Sequence, residues 1–161
     1  MKTLFLVRHA KSDWGDPWLA DHDRPLNARG ERDAPATGRR LAERGAAVDV
    51  VVTSTAVRAR TTARAIAAAL GVPEDRLIED EGLYGASGPS ILAVAAGLPD
   101  AIGVAMLVGH NPGMSEALRD LTGEWADLPT CAVAECRVDV DAWAELVEGT
   151  GALVRLDTPR G

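Results

Sequence analysis

The sequence predicts an α/β fold, a three-layer αβα sandwich with a mainly parallel central sheet, on two observations. Short apolar runs bounded by polar residues, Leu4-Phe5-Leu6-Val7, Val50-Val51-Val52 and Val104-Ala105-Met106-Leu107-Val108, read as buried strands. Segments of helical period lie between them, and that alternation argues for parallel strands joined by crossovers, with helices on both faces. Length and composition agree: 161 residues at 47% hydrophobic content support one sizeable core. No repeat, low-complexity tract or linker divides the chain, so residues 1–161 read as a single domain.

In chain order, strands are predicted near Thr3–Val7, Asp49–Thr53, Leu77–Glu79, Ala105–Val108, Val133–Val138 and Ala152–Leu156. Helices are predicted near Ala28–Arg44, Val57–Leu70, Pro89–Ala96, Pro112–Leu121 and Ala142–Val147. The first helix contains Pro35, which should kink it or move its start later. Before the fourth, Asn111 suits an N-cap and Pro112 the first helical position. Met114, Ala117, Leu118 and Leu121 then recur at helical spacing, and Gly123 is a stop. The last two strands, joined through a short helix, add an antiparallel edge.

Three strand ends carry the chemistry. Open α/β sheets bind ligands at the C-terminal edge of their strands, and there the first strand delivers Arg8 and His9, then Lys11 and Ser12. Arginine offers a planar fork of donors suited to phosphate oxygens, and neutral histidine a nucleophilic nitrogen. Taken alone, Arg8-His9 equally reads as a strand end paired with surface carboxylates. The run ending at Val108 leads through Gly109 to His110 beside a helix N-terminus, which favours anions. Val50-Val51-Val52 leads through Thr53-Ser54-Thr55 into a helix with Arg58 in its first turn. Arg8, His9, Arg58 and His110 are all groups that contact a phosphoryl group.

Four segments, in this order, resemble the signatures of the histidine phosphatase superfamily, the phosphoglycerate-mutase-like proteins. They are Leu6-Val7-Arg8-His9-Ala10-Lys11-Ser12, Asp23-Arg24-Pro25-Leu26-Asn27-Ala28-Arg29-Gly30, Thr53 to Thr62, and Leu107-Val108-Gly109-His110-Asn111-Pro112-Gly113. Within that superfamily the chain resembles the small SixA-type phosphohistidine phosphatases. Ala10 stands where many members have Gly, and Thr55 where Pro or another small residue is frequent. Neither departure touches the chemistry.

The resemblance implies a phosphoglycerate-mutase-like fold and a phosphatase acting through a phosphohistidine intermediate on His9. Arg8 and Arg58 hold the nonbridging oxygens, His110 donates a further hydrogen bond, and water hydrolyses the intermediate. The arginines supply the positive charge, so no metal and no cofactor is expected. The implied substrate is phosphohistidine on a protein. A small phosphate ester, hence a general phosphomonoesterase, is the alternative, followed by a phosphate-binding module without turnover. Mutase-like relatives supply a proton-donating glutamate from a segment resembling Asp80 to Gly85, where Glu81 is the matching position. An ordinary acidic loop at Glu79, Asp80 and Glu81 is the other reading.

Composition narrows the partners. A formal net charge of -7 argues against nucleic acid. No run reaches membrane-spanning length and no signal peptide is evident, so no membrane association and a cytoplasmic location are expected. Cys131 and Cys136 have neither redox nor zinc-knuckle spacing. Asp21 and Asp23 read as solvated loop charges, His22 as a surface residue, and Arg60 and Arg64 as the exposed face of their helix. Arg29 either salt-bridges the loop or helps the pocket. Trp14 and Trp18 read as hydrophobic filler, with walls of the site as the other role.

Overall fold

The computed structural model describes residues 1–160. The apolar runs form six strands: β1 Lys2–Arg8, β2 Val50–Thr53, β3 Leu77–Glu79, β4 Val104–Gly109, β5 Val133–Val138 and β6 Gly151–Asp157. They make one sheet in the order β3-β2-β4-β1-β5-β6. The first four in that order run parallel, and β5 and β6 add the antiparallel edge. The helices are α1 Ala28–Glu43, α2 Val57–Leu70, α3 Gly88–Ala96 and α4 Gly113–Thr122.

Strand alternation distributes the core between two layers. Leu4 and Leu6 of β1 pack with Ile91 and Leu92 of α3 and with Met114 and Leu118 of α4. Phe5 and Val7 face the other way, onto Leu41 of α1 and Ala59 and Ile66 of α2. The central strand is therefore apolar on both faces and dry, as the unbroken run Leu4 to Val7 requires.

Register then places the chemistry. Arg8 pairs with Gly109 across β1 and β4, while Val108 pairs with both Val7 and Thr53. The three strands thus end at one level, and the residues that follow them (His9, His110 and Ser54) emerge side by side.

Three expectations need correction. α1 begins at Ala28 with Pro35 inside it, so its start is not displaced. Asn27 accepts a hydrogen bond from Gly30 N at 2.9 Å and anchors the first turn upstream of the proline. α4 starts at Gly113, with Pro112 at the N-cap position. Asn111 still caps it, from one residue further out, by accepting from Ser115 N at 3.1 Å. The helix predicted over Ala142–Val147 shrinks to one 3-10 turn, Trp143–Glu145. Trp143 is drawn into the core, donating to Ile102 O at 2.7 Å, and the chain is already extended at Leu146.

Gly30 shows how closely α1 approaches the turn after β1. A Cβ there would overlap the carbonyl oxygen of Lys11, which itself accepts from Asn27 N at 3.0 Å. Gly30→Ala should therefore push the turn off α1 and destabilise the protein by about 1–3 kcal/mol, measured by urea denaturation. An unchanged midpoint would show that the turn gives way freely.

Candidate active site

The backbone around His9 is held on every side. His9 N donates to Gly109 O at 2.9 Å, and Cys131 N donates to both Arg8 O and His9 O at 3.1 and 3.0 Å. Cys131 adopts φ 63, a left-handed conformation costly for a residue with a Cβ, and that turn brings its N–H to the two carbonyls. Ala10 N donates to Thr62 Oγ1 at 3.0 Å, tying the turn to α2.

This backbone fixes the tautomer of His9. Its Nδ1 lies 2.7 Å from Ala10 O. A carbonyl only accepts, so Nδ1 carries the proton and the neutral ring keeps its lone pair on Nε2. Burial pushes the His9 pKa down to about 3, with His110, Arg58 and Arg8 lowering it further against the opposing bond to Ala10. The ring of His110 lies beside it, centroid to centroid 5.0 Å. Burial, then Arg58, lowers His110 to about 4. Both imidazoles are neutral at physiological pH.

Ser54 orients His110. Its Oγ accepts from Ala56 N at 3.2 Å and lies 2.8 Å from His110 Nε2. The other ring nitrogen, Nδ1, is buried without a partner among the described residues, and so is Nε of Arg8.

The arginines are set by carbonyls and one carboxylate. Arg8 Nη1 donates to Leu128 O at 2.9 Å, the same oxygen that takes Asn111 Nδ2 at 2.9 Å. Arg58 donates to the backbone oxygen of Asp21 at 2.6 Å and to its carboxylate at 3.0 Å. Asp21 also accepts from Arg24 at 2.8 Å and from the Tyr84 hydroxyl at 2.6 Å. These bonds hold its carboxyl well below the usual carboxylate range. Asp21 is exposed, as its reading as a solvated loop charge expects, but it is paired with Arg58 and Arg24. His22 is tied in too, its Nε2 lying 2.8 Å from Thr55 Oγ1.

Arg8, His9, Arg58 and His110 line one open depression of about 300 Å³, together with Lys11, Ser12, Trp14, Asp21, Arg24, Asn111 and Thr130. Arg24 is a member that sequence reasoning left without a role. It is buried, bonded to Ser12 Oγ and Asp13 O, and stacked on Trp14 at 3.2 Å from the ring centroid. Its place in the segment Asp23 to Gly30 was the available signal. Neither Trp14 nor Trp18 is filler, since both are exposed. Arg29 pairs with Asp33 at 3.9 Å and donates to Thr130 at 3.2 Å, beside the pocket.

The structure does not bring Glu81 into this group. It sits exposed on the 3-10 turn Glu81–Leu83, outside the pocket lining. From the same loop Tyr84 reaches in, bonding Asp21 and meeting His110 edge to face at 5.5 Å. Arg60 and Arg64 lie away from His9, in a separate surface depression with Glu74 and Glu79. Cys131 and Cys136 are buried free thiols. Among the described residues no group of three or more His, Cys, Asp or Glu side chains is placed to hold a metal ion. None of their helices is long and apolar enough to cross a membrane.

The depressed values give a direct test by NMR. The ring signals of His9 and His110 should not titrate between about pH 5 and 8, where an ordinary histidine changes charge. A midpoint near 6.5 for either would contradict the burial described. Stability follows the same sign. From about pH 6.5 down toward 3 the unfolded chain binds protons that these two rings refuse when folded, so stability is lost as pH falls through that window.

Comparison with known proteins agrees with this geometry. Residues 4–86 match the histidine phosphatase superfamily (branch 1). An uncharacterized protein of Mycobacterium tuberculosis is 36% identical over 165 residues, covering 96% of this chain and all of the relative. A 2,3-bisphosphoglycerate-dependent phosphoglycerate mutase of Rhizobium etli is 40% identical over 83 residues, half of this chain and 39% of the mutase. Two solved structures, provisionally named phosphohistidine phosphatase SixA, share the fold. The one from Agrobacterium tumefaciens is 28% identical with a TM-score of 0.83, covering 98% of each chain. That from Nakamurella multipartitia is 30% identical at 0.84, covering 99% and 97%. On its family match and its SixA-like architecture, this chain belongs to the histidine phosphatase superfamily.

Proposed function

We propose that this protein is a metal-independent phosphatase that removes phosphate from protein phosphohistidine through a covalent intermediate on His9, with residues 1–161 acting as one domain. The observation that carries this reading is the fixed tautomer of His9: Nδ1 is committed to Ala10 O at 2.7 Å, leaving an unprotonated Nε2 in a pocket with Arg8, Arg58 and His110. Nε2 attacks phosphorus as the P–N bond of the substrate breaks, and the departing imidazole takes up a proton. Water then attacks the phosphoryl group on His9, the P–Nε2 bond breaks, and inorganic phosphate leaves. Arg8, Arg58 and His110 stabilise charge on the oxygens in both steps.

The choice of substrate rests on what surrounds that nitrogen. An alkoxide leaves poorly without a positioned acid, which is typically worth about 10²–10⁴-fold. Here Asp21 is held ionised, both pocket histidines are neutral, and Glu81 stands outside. A phosphohistidine imidazole can take its proton before the P–N bond breaks. The site therefore suits phosphoramidates better than alkyl esters. Two buried, unpaired thiols fit a reducing cytoplasm.

A hydrolysis panel with excess chelator tests this. Phosphohistidine proteins and aryl phosphates should turn over, and phosphoserine peptides, sugar phosphates and nucleotides should react at least about 10²-fold more slowly. His9→Ala should abolish every activity, and Arg58→Ala should cost far more than Arg60→Ala or Arg64→Ala. Glu81→Gln should leave the ranking of substrates unchanged. Preference for alkyl esters would instead mark a general phosphomonoesterase. Loss of activity on chelation would overturn the metal-independent mechanism, and a complete lack of turnover would leave a binding module.

A further inference from the structure

Trp18 and Trp14 are the two most exposed large apolar side chains among the described residues, at 93% and 72%, and Leu19 beside them is 40% exposed. All three lie in the segment between β1 and α1, and Trp14 lines the His9 pocket. The segment is anchored to the pocket wall. Asp13 O accepts from Arg24 Nε at 3.1 Å, and the Arg24 guanidinium carries the Trp14 ring. Local bonds shape the rest: Asp13 accepts from Gly15 N at 2.6 Å and Asp16 from Trp18 N at 2.9 Å. The tryptophans are thus displayed on a built turn that is continuous with the pocket. Exposed tryptophans present apolar surface to water and rank among the side chains most enriched at binding hot spots.

The same segment is negative. Asp13, Asp16 and Asp23 have no lysine or arginine partner among the described residues. We infer that the turn holding Trp14, Trp18 and Leu19 is the docking surface for the phosphoprotein, and that the partner presents an apolar side chain flanked by lysine or arginine beside its phosphohistidine. This rests on the protein-phosphohistidine reading of the site. An apolar contact covers Trp18 while opposite charges steer the approach. The pocket itself needs only the phosphoryl group, so docking and chemistry are separable.

The test uses synthetic phosphohistidine peptides in two forms, one with leucine and lysines around the modified residue, the other with leucine and glutamates. At low salt the basic peptide should have a kcat/KM about tenfold higher, a gap that closes as salt screens it. Trp18→Ala should raise KM for the basic peptide about tenfold, with kcat and the hydrolysis of an aryl phosphate unchanged. The unphosphorylated basic peptide should inhibit aryl phosphate hydrolysis by the wild type and far less in Trp18→Ala. Equal kcat/KM for the two peptides, or no effect of Trp18→Ala on either peptide assay, would overturn the docking surface. Failure of the functional reading looks different. The wild type would then cleave aryl phosphate but neither phosphopeptide, while Trp18-dependent inhibition by the basic peptide would still report docking.

Discussion

Parallel pairing of β1 with β4, in the register that sets Arg8 opposite Gly109, is the constraint on which the site depends. It delivers His9 N to Gly109 O and puts His110 next in line, with Ser54 level on the neighbouring strand. A slip by one residue would turn Leu4 and Leu6 toward α1 and α2, and Phe5 and Val7 toward α3 and α4. Both layers pack tightly against β1, so core packing holds the register, and through it the two imidazoles.

Within that frame the electrostatics oppose one another by design of position. Two neutral histidines sit among cations, where burial and positive charge both disfavour protonation. The arginines would repel each other across the pocket without a counter-charge, and Asp21 provides one by bridging Arg58 and Arg24. Tyr84 completes its hydrogen bonding and joins the two loops that flank the pocket. Donors fixed before substrate arrives need not reorganise during the reaction, which is the main source of their catalytic value.

Much of this was legible in the sequence because it is local. Apolar runs located all six strands, with β3, β5 and α2 placed to the residue, and the strand ends named Arg8, His9, Arg58 and His110. What escaped depends on contacts between distant segments. Nothing near Asp21 foretells that its carboxylate meets Arg58 and Tyr84, 37 and 63 residues away. Trp14 and Trp18 read as filler because large apolar residues are usually buried, yet Arg24 and the turn around Asp16 hold them at the surface. Pro35 is tolerated inside α1 because the helix is anchored upstream, at Asn27 and Gly30. The proton donor sought at Glu81 followed a matching position, and side-chain placement rather than motif decides which groups share the pocket.

The central claim is a covalent bond from His9 Nε2 to phosphorus, and rapid quenching during turnover of a labelled phosphohistidine protein tests it most directly. The account predicts label on the peptide containing His9, in a linkage stable to alkali and labile to acid, and none in His9→Ala. Label recovered on a serine, or no trapped label when breakdown of the intermediate limits turnover, would contradict it.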